Sequence, residues 1–207
     1  MRIYYAGRFT FDEALWDQAK EYGQGRVKAN AGKHLKGTRP APNVDLQWHV
    51  DGIMGELLLM EFLRQQDVEY TTTHSLVEPF PVKGPDLIIH FGKTRIPIDA
   101  KFIWFPPKGL FLINREAHWR HHGEWYFGPW VKDREGDQCT MIMAPWWAVD
   151  LWPAKAMQAG GAKRIAKFSK LQPVYDLSLS APDVVDWKAA ILTDAAFAAL
   201  AKEQSNG

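Results

Sequence analysis

Between residues 46 and 66, Leu46, Val50, Ile53, Leu57, Met60 and Leu63 recur every three or four positions. That is the period of one helix face, and it predicts the strongest helix of the chain over 46–66. Asp45 is placed to cap its start. The pattern then changes. Residues 68–74 (VEYTTTH) are β-branched and aromatic, which predicts a strand. Beyond Pro79 and Pro81, two further runs, 85–91 (PDLIIHF) and 94–104 (TRIPIDAKFIW), flank Gly92-Lys93. They predict two strands of one hairpin over 85–104, stopped by Pro106-Pro107. Weaker patterns predict a short helix over 10–22, a strand giving way to a short helix over 110–122 and a strand over 139–149. They also predict a helix over 154–168 interrupted by Gly160-Gly161, a strand over 174–179 and an Ala-rich helix over 183–202. Helices and strands interleave without a fixed repeat, so the class is α/β or α+β.

Composition narrows this picture. The chain has 207 residues, 46% hydrophobic and 24% charged, an ordinary globular balance that excludes wholesale disorder. It divides into an N-terminal helix and basic arm (1–44), a single domain (45–200) and a disordered tail (201–207). One cysteine, Cys139, excludes an intramolecular disulfide, a Cys-based zinc site and a Cys-ligated iron–sulfur cluster. Arg8, Asp12 and Glu13 interrupt any apolar leader, and no run of 18 uncharged apolar residues is present. The expectation is therefore a soluble cytoplasmic protein with no membrane partner.

Net charge is +1, which taken alone argues against a simple polycation. Its distribution says more. Residues 19–44 carry six bases against Glu21, a net of +5, in a Gly/Pro-rich stretch that reads as a loop or mobile arm. Residues 45–99 carry nine acids against four bases, a net of −5. Residues 154–172 carry five bases and no acid, again +5. An acidic centre is flanked by two basic segments, a pattern that fits tracking of a phosphate backbone.

The acidic centre holds the chemistry. Asp86 opens the first hairpin strand, and Asp99 and Lys101 stand two apart on the second, so both project to one face while Ala100 points away. A carboxylate on the neighbouring strand converges with them. Two hard oxygen donors suit Mg²⁺, and a lysine beside them can position a water. Glu56 adds a third acid from an otherwise apolar part of the preceding helix, where Gly52 and Gly55 permit close packing on a sheet. Glu61, five positions further on, points elsewhere. The alternative reading makes Asp86 and Asp99 solvated hairpin acids, Lys101 an edge-strand lysine and Glu56 a helix-surface glutamate. Unpartnered buried strand acids are costly, which favours a site.

Helix with Gly-x-x-Gly-Glu, then a strand, then Pro85-Asp86, then Asp99-Ala100-Lys101: this order resembles the PD-(D/E)XK nuclease superfamily over about residues 45–105. The resemblance implies a restriction-endonuclease-like core, a central mixed β-sheet flanked by helices. It implies Mg²⁺-dependent hydrolysis of DNA phosphodiester bonds by a metal-activated water, with Mn²⁺ able to substitute. Asp86, Asp99, Glu56 and the Ala100 carbonyl would hold the metal, and Lys101 would stand at the nucleophile. The helix after the motif carries Asn114, Arg115, His118, Arg120, His121 and His122 rather than the Gln-x-x-x-Tyr pattern of the phage-exonuclease branch, and the cysteines of the iron–sulfur branch and a P-loop are lacking.

Arg26, Lys28, Lys33 and Lys36 of the first basic segment, and Lys163, Arg164 and Lys167 of the second, are the candidate DNA contacts. Arg115, His118 and Arg120 are candidates for phosphate contact. His118 and His122 have zinc spacing but no third ligand, and His90 reads as a plain strand histidine. Of the ten tryptophans, Trp104, Trp119, Trp125, Trp130, Trp146, Trp147 and Trp152 are assigned to packing rather than base stacking. The expected partner is DNA, with RNA open, and a homodimer is the expected form where two strands are cut. The alternatives are a catalytically inactive nuclease-like module that binds nucleic acid or protein, and a hydrolase of small phosphoesters.

Overall fold

The structure is a computed structural model and describes residues 3–30, 42–73, 75–77, 84–103, 110–112, 124–131, 136–149, 154–155, 172–176 and 183–205. It is an α/β protein built on a seven-stranded mixed sheet with helices against it. The chain enters as β1 (Tyr4–Thr10), then two helices, α1 (Ala14–Ala29) and α2 (Pro42–Gln65). Next come β2 (Glu69–Thr72), β3 (Leu87–Phe91), β4 (Thr94–Ala100) and β5 (Leu110–Leu112). β6 (Trp125–Val131) and β7 (Gln138–Pro145) follow, with the short helix α3 (Trp146–Val149). β8 (Ala154–Lys155), β9 (Gln172–Asp176), β10 (Asp183–Val184) and the helix α4 (Trp187–Ser205) complete it. Strand order in the main sheet is β10-β1-β7-β6-β4-β3-β2, and β5-β9-β8 form a three-stranded sheet. The β4–β6 and β1–β10 pairs are parallel and the other pairs of the main sheet antiparallel.

The predicted hairpin forms from β3 and β4, with its second strand ending at Ala100 rather than running on to 104. β3 and β4 pair with Leu87 opposite Ile98 and turn at Gly92, whose φ of +61° is the left-handed backbone that glycine adopts freely. Alternation sends Leu87, Ile89, Ile96, Ile98 and Ala100 to the larger core. That core also takes Ile53, Met54, Leu57, Leu58, Phe62 and Leu63 of α2 and Trp187 of α4. The Trp187 ring lies 5.4 Å from Phe62 and 5.8 Å from Phe127. The opposite face has a smaller core of Ile3, Ile103, Tyr126, Ile142, Ala144 and Val149. Residues 53–59 of α2 are buried on every side, because the helix runs between the sheet and α1.

Several expectations are corrected. β1 occupies residues with no predicted element, its alternation blurred by a register shift between Tyr5 and Gly7. The first helix spans Ala14–Ala29, not 10–22, so residues 19–29 of the expected basic arm, like 42–44 at its other end, are helix. α2 begins at Pro42, which suits a first helical turn, and Asp45 is inside the helix rather than its cap. β6 occupies residues with no predicted element and contains Gly128-Pro129, yet it is an inner strand. Pro129 still contributes, through a carbonyl that accepts the Ile103 N–H at 3.0 Å. The 139–149 strand ends at Pro145 and continues as α3, and 183–184 is strand β10 rather than helix. Helix α4 runs to Ser205, through most of the segment expected as a disordered tail. Residues 113–122 and 156–168 lie outside the described residues. No helix among the described residues is long and apolar enough to cross a membrane.

Candidate functional site

Asp86 directly precedes β3, and its backbone continues the ladder. Its N–H donates to the Ile98 carbonyl at 3.0 Å, and its carbonyl accepts the Thr73 N–H at 3.3 Å. Extending the Leu87–Ile98 register by one pair sets Asp86 opposite Asp99, so both carboxylates take the same face. Lys101 continues β4, anchored by its N–H to the Phe127 carbonyl at 2.7 Å. Its ammonium Nζ lies 3.8 Å from Asp86 Oδ2 and 3.8 Å from Asp99 Oδ2. The Ala100 N–H donates to Asp86 Oδ2 at 2.8 Å, which fixes that carboxylate from a second side. Asp99 is buried.

The electrostatics follow from this crowding. Burial pushes the Asp86 carboxyl up to about 7; Lys101 opposes the shift, and Asp99 and Glu56 add to it. For Lys101 burial works against the charge, but Asp99, then Asp86 and Glu56, outweigh it, and the ammonium titrates above its ordinary value. Lys101 is therefore a fixed cation at neutral pH. Two carboxylates face one ammonium, and Asp86, chiefly through its burial, is the one that holds its proton more tightly.

Glu56 reaches the site from α2, and Gly55 beside it explains how. A Cβ at 55 would lie 3.2 Å from both Cβ and N of Phe102, the residue after Lys101. Glycine thus permits α2 to lie directly on the end of β4. Glu56 itself is buried and turned to Arg26, whose Nη2 donates to Glu56 Oε1 at 3.3 Å. The Arg26 Nε donates to the Leu76 carbonyl at 2.8 Å, and Asn30 Nδ2 donates to the Arg26 carbonyl at 2.8 Å. Arg26 is only 2% exposed. It is therefore corrected from a phosphate-tracking surface base to the buried partner of Glu56. Lys28 is exposed on α1. Lys33, Lys36, Arg115, His118, Arg120, Lys163, Arg164 and Lys167 lie outside the described residues, as do Trp104, Trp119, Trp152 and the His118/His122 pair.

The donor chemistry fits a hard divalent cation: two oxygen-bearing side chains on one face, with a surplus of negative charge. Asp86 and Asp99 would hold it. Among the described residues no group of three or more His, Cys, Asp or Glu side chains could hold a metal ion. That agrees with Glu56 being engaged by Arg26. Reading from sequence alone missed Arg26 and Asn30. Their signal was present in the spacing of Trp16, Ala19, Gly23, Arg26 and Asn30, all buried on one face of α1.

The tryptophans divide. Trp125, Trp16 and Trp187 belong to the larger core, Trp130 and Trp146 pack against the smaller one, and Trp147 donates to Asp194 at 3.0 Å. His90 meets the Thr71 hydroxyl at 2.6 Å across the β2–β3 pair.

Fold and site together define an α/β protein with a mixed sheet that presents two carboxylates and a lysine from adjacent strands. No family model, curated protein or solved structure matches the chain.

Proposed function

We propose that this chain is a Mg²⁺-dependent nuclease of the PD-(D/E)XK kind, with a restriction-endonuclease-like core, that hydrolyses DNA phosphodiester bonds. One observation carries the reading: Asp86 and Asp99 face each other across an antiparallel pair with the Lys101 ammonium 3.8 Å from each. This is the convergence that the spacing of Asp86, Asp99 and Lys101 calls for. When bound, the cation would supply charge for the developing phosphate oxyanion and acidify a water. Asp86 and Asp99 would hold it. Lys101, already protonated, would orient the attacking water and neutralise charge on the phosphate rather than accept a proton. The exposed Lys28 and the basic segments beyond the described residues would hold the backbone, with salt-dependent and largely sequence-independent affinity.

The test is incubation of pure protein with Mg²⁺ or Mn²⁺ and end-labelled single-stranded, duplex and branched DNA, with RNA as control. Cleavage in the wild type should fall by roughly 10²–10³-fold or more in Asp99→Ala and in Lys101→Ala, with circular dichroism unchanged. Cleavage that persists in purified Asp99→Ala overturns the reading. A second reading, a nuclease-like module that only binds, is favoured by the engagement of Glu56 with Arg26. It predicts DNA binding with no Mg²⁺ site that disappears in Asp86→Ala.

A further inference from the structure

Three acids and two cations meet where α1, α2 and β4 converge, but they do not form one set. Arg26 is always charged, and two of its planar donors are engaged, Nη2 to Glu56 and Nε to the Leu76 carbonyl, while Asn30 donates to its backbone carbonyl. A guanidinium tied in this way cannot follow Glu56 if that carboxylate turns toward a cation. Turning would separate a buried ion pair, which is unfavourable. Glu56 nevertheless acts on Asp86 and Lys101 through its charge.

We propose that Arg26 is a positioning residue that withholds Glu56 from the cation, so that a divalent ion is held by Asp86 and Asp99 without Glu56 as a ligand. The inference rests on the metal-site reading above and concerns the regulation of that site. Arg26 sets how many carboxylates the site offers, and hence how tightly and in what number it takes ions.

Mn²⁺ binding to the full chain, followed by electron paramagnetic resonance without substrate, reads this directly. Wild type should take one ion, lost in Asp99→Asn. Arg26→Met should bind Mn²⁺ about tenfold more tightly or take a second ion. Arg26→Lys should resemble wild type, and the Arg26→Met/Glu56→Gln double variant should lose the gain. Should Arg26→Met not fold, Glu56→Gln decides: it should weaken binding by less than ~fivefold, the size of a screened charge effect. A loss in Glu56→Gln as complete as in Asp99→Asn overturns the proposal. An Arg26→Met protein with wild-type affinity and stoichiometry overturns it while leaving the metal site intact. A wild type with no Asp99-dependent Mn²⁺ site overturns both this inference and the nuclease reading.

Discussion

Two charge clusters lie side by side in this molecule and are built on opposite terms. Between the helices, Arg26 and Glu56 form an ion pair with side chains 3% and 10% exposed. On the sheet, Asp86 and Asp99 outnumber Lys101 two to one, and the Lys101 side chain is 27% exposed. The first cluster is closed: each charge has its partner, and water is largely absent. The second is unbalanced and open on one side. A closed pair secures helix placement and specifies one packing, whereas an unbalanced set costs stability that an incoming cation can return. The same types of residue therefore serve two ends, set by stoichiometry and access.

Removing one cation from each cluster gives the largest contrast. Arg26→Ala removes one member of a buried ion pair, which should cost about 3–5 kcal/mol. Lys101→Met should cost less, about 1–2 kcal/mol, because the site is partly exposed and Asp86 can take up a proton instead. Urea denaturation at pH 7 without divalent ions measures both. If Lys101→Met is as damaging as Arg26→Ala, the sheet cluster is structural and the distinction fails.

The next effect is the response to pH. Asp86 titrates near 7 in the fold, against an ordinary 3.8. The folded state therefore holds its proton more tightly than the unfolded chain does. This contribution to stability is fully present below about pH 4 and is lost as pH rises through about 7, an effect on the order of 4 kcal/mol. Wild type without metal should lose stability between pH 5 and pH 8 relative to Asp86→Asn, which has no proton to lose. Mg²⁺ at pH 8 should raise the melting temperature of wild type and not that of Asp86→Asn. Equal pH profiles for the two proteins would show that the sheet cluster carries no surplus charge.

How much of this was legible beforehand depends on what each residue leaves in a pattern. The hairpin and its three chemical residues were legible, because strand alternation and a Gly turn fix register locally, and register alone brings Asp86, Asp99 and Lys101 together. Glu56 was legible as a polar residue inside an apolar run. Its partner was not. Ala19 and Gly23 are too small to mark a stripe, so the buried face of α1 looked like a glycine-rich arm, and Arg26 looked like one base among six. The close approach that requires small residues is the reason: a Cβ at Gly23 would come 2.7 Å from Val50 Cγ2 on α2. β6 was missed for a related cause, since Gly128 and Pro129 punctuate a sequence even where neighbouring strands hold them in a ladder.

The two glycines beside Glu56 give the smallest effects and the finest test of the comparison. A methyl group at position 55 would press on the Phe102 backbone at 3.2 Å, and backbone yields poorly. Gly55→Ala should therefore lift α2 from the end of β4. Its overpacking cost of about 1–3 kcal/mol outweighs the gain of about 1 kcal/mol in helix propensity. Because Phe102 adjoins Lys101, the lysine shifts with it, and Mn²⁺ affinity should fall together with stability. At position 52 the added carbon meets only Arg26 Nη1, at an ordinary 3.9 Å, so the propensity gain is unopposed. Gly52→Ala should raise stability by about 0.5–1 kcal/mol, a rise of roughly 2–4 °C in melting temperature at most, with Mn²⁺ affinity unchanged. A Gly52→Ala protein that loses metal affinity would mean that the helix pair and the sheet cluster are one coupled unit rather than two clusters of different purpose.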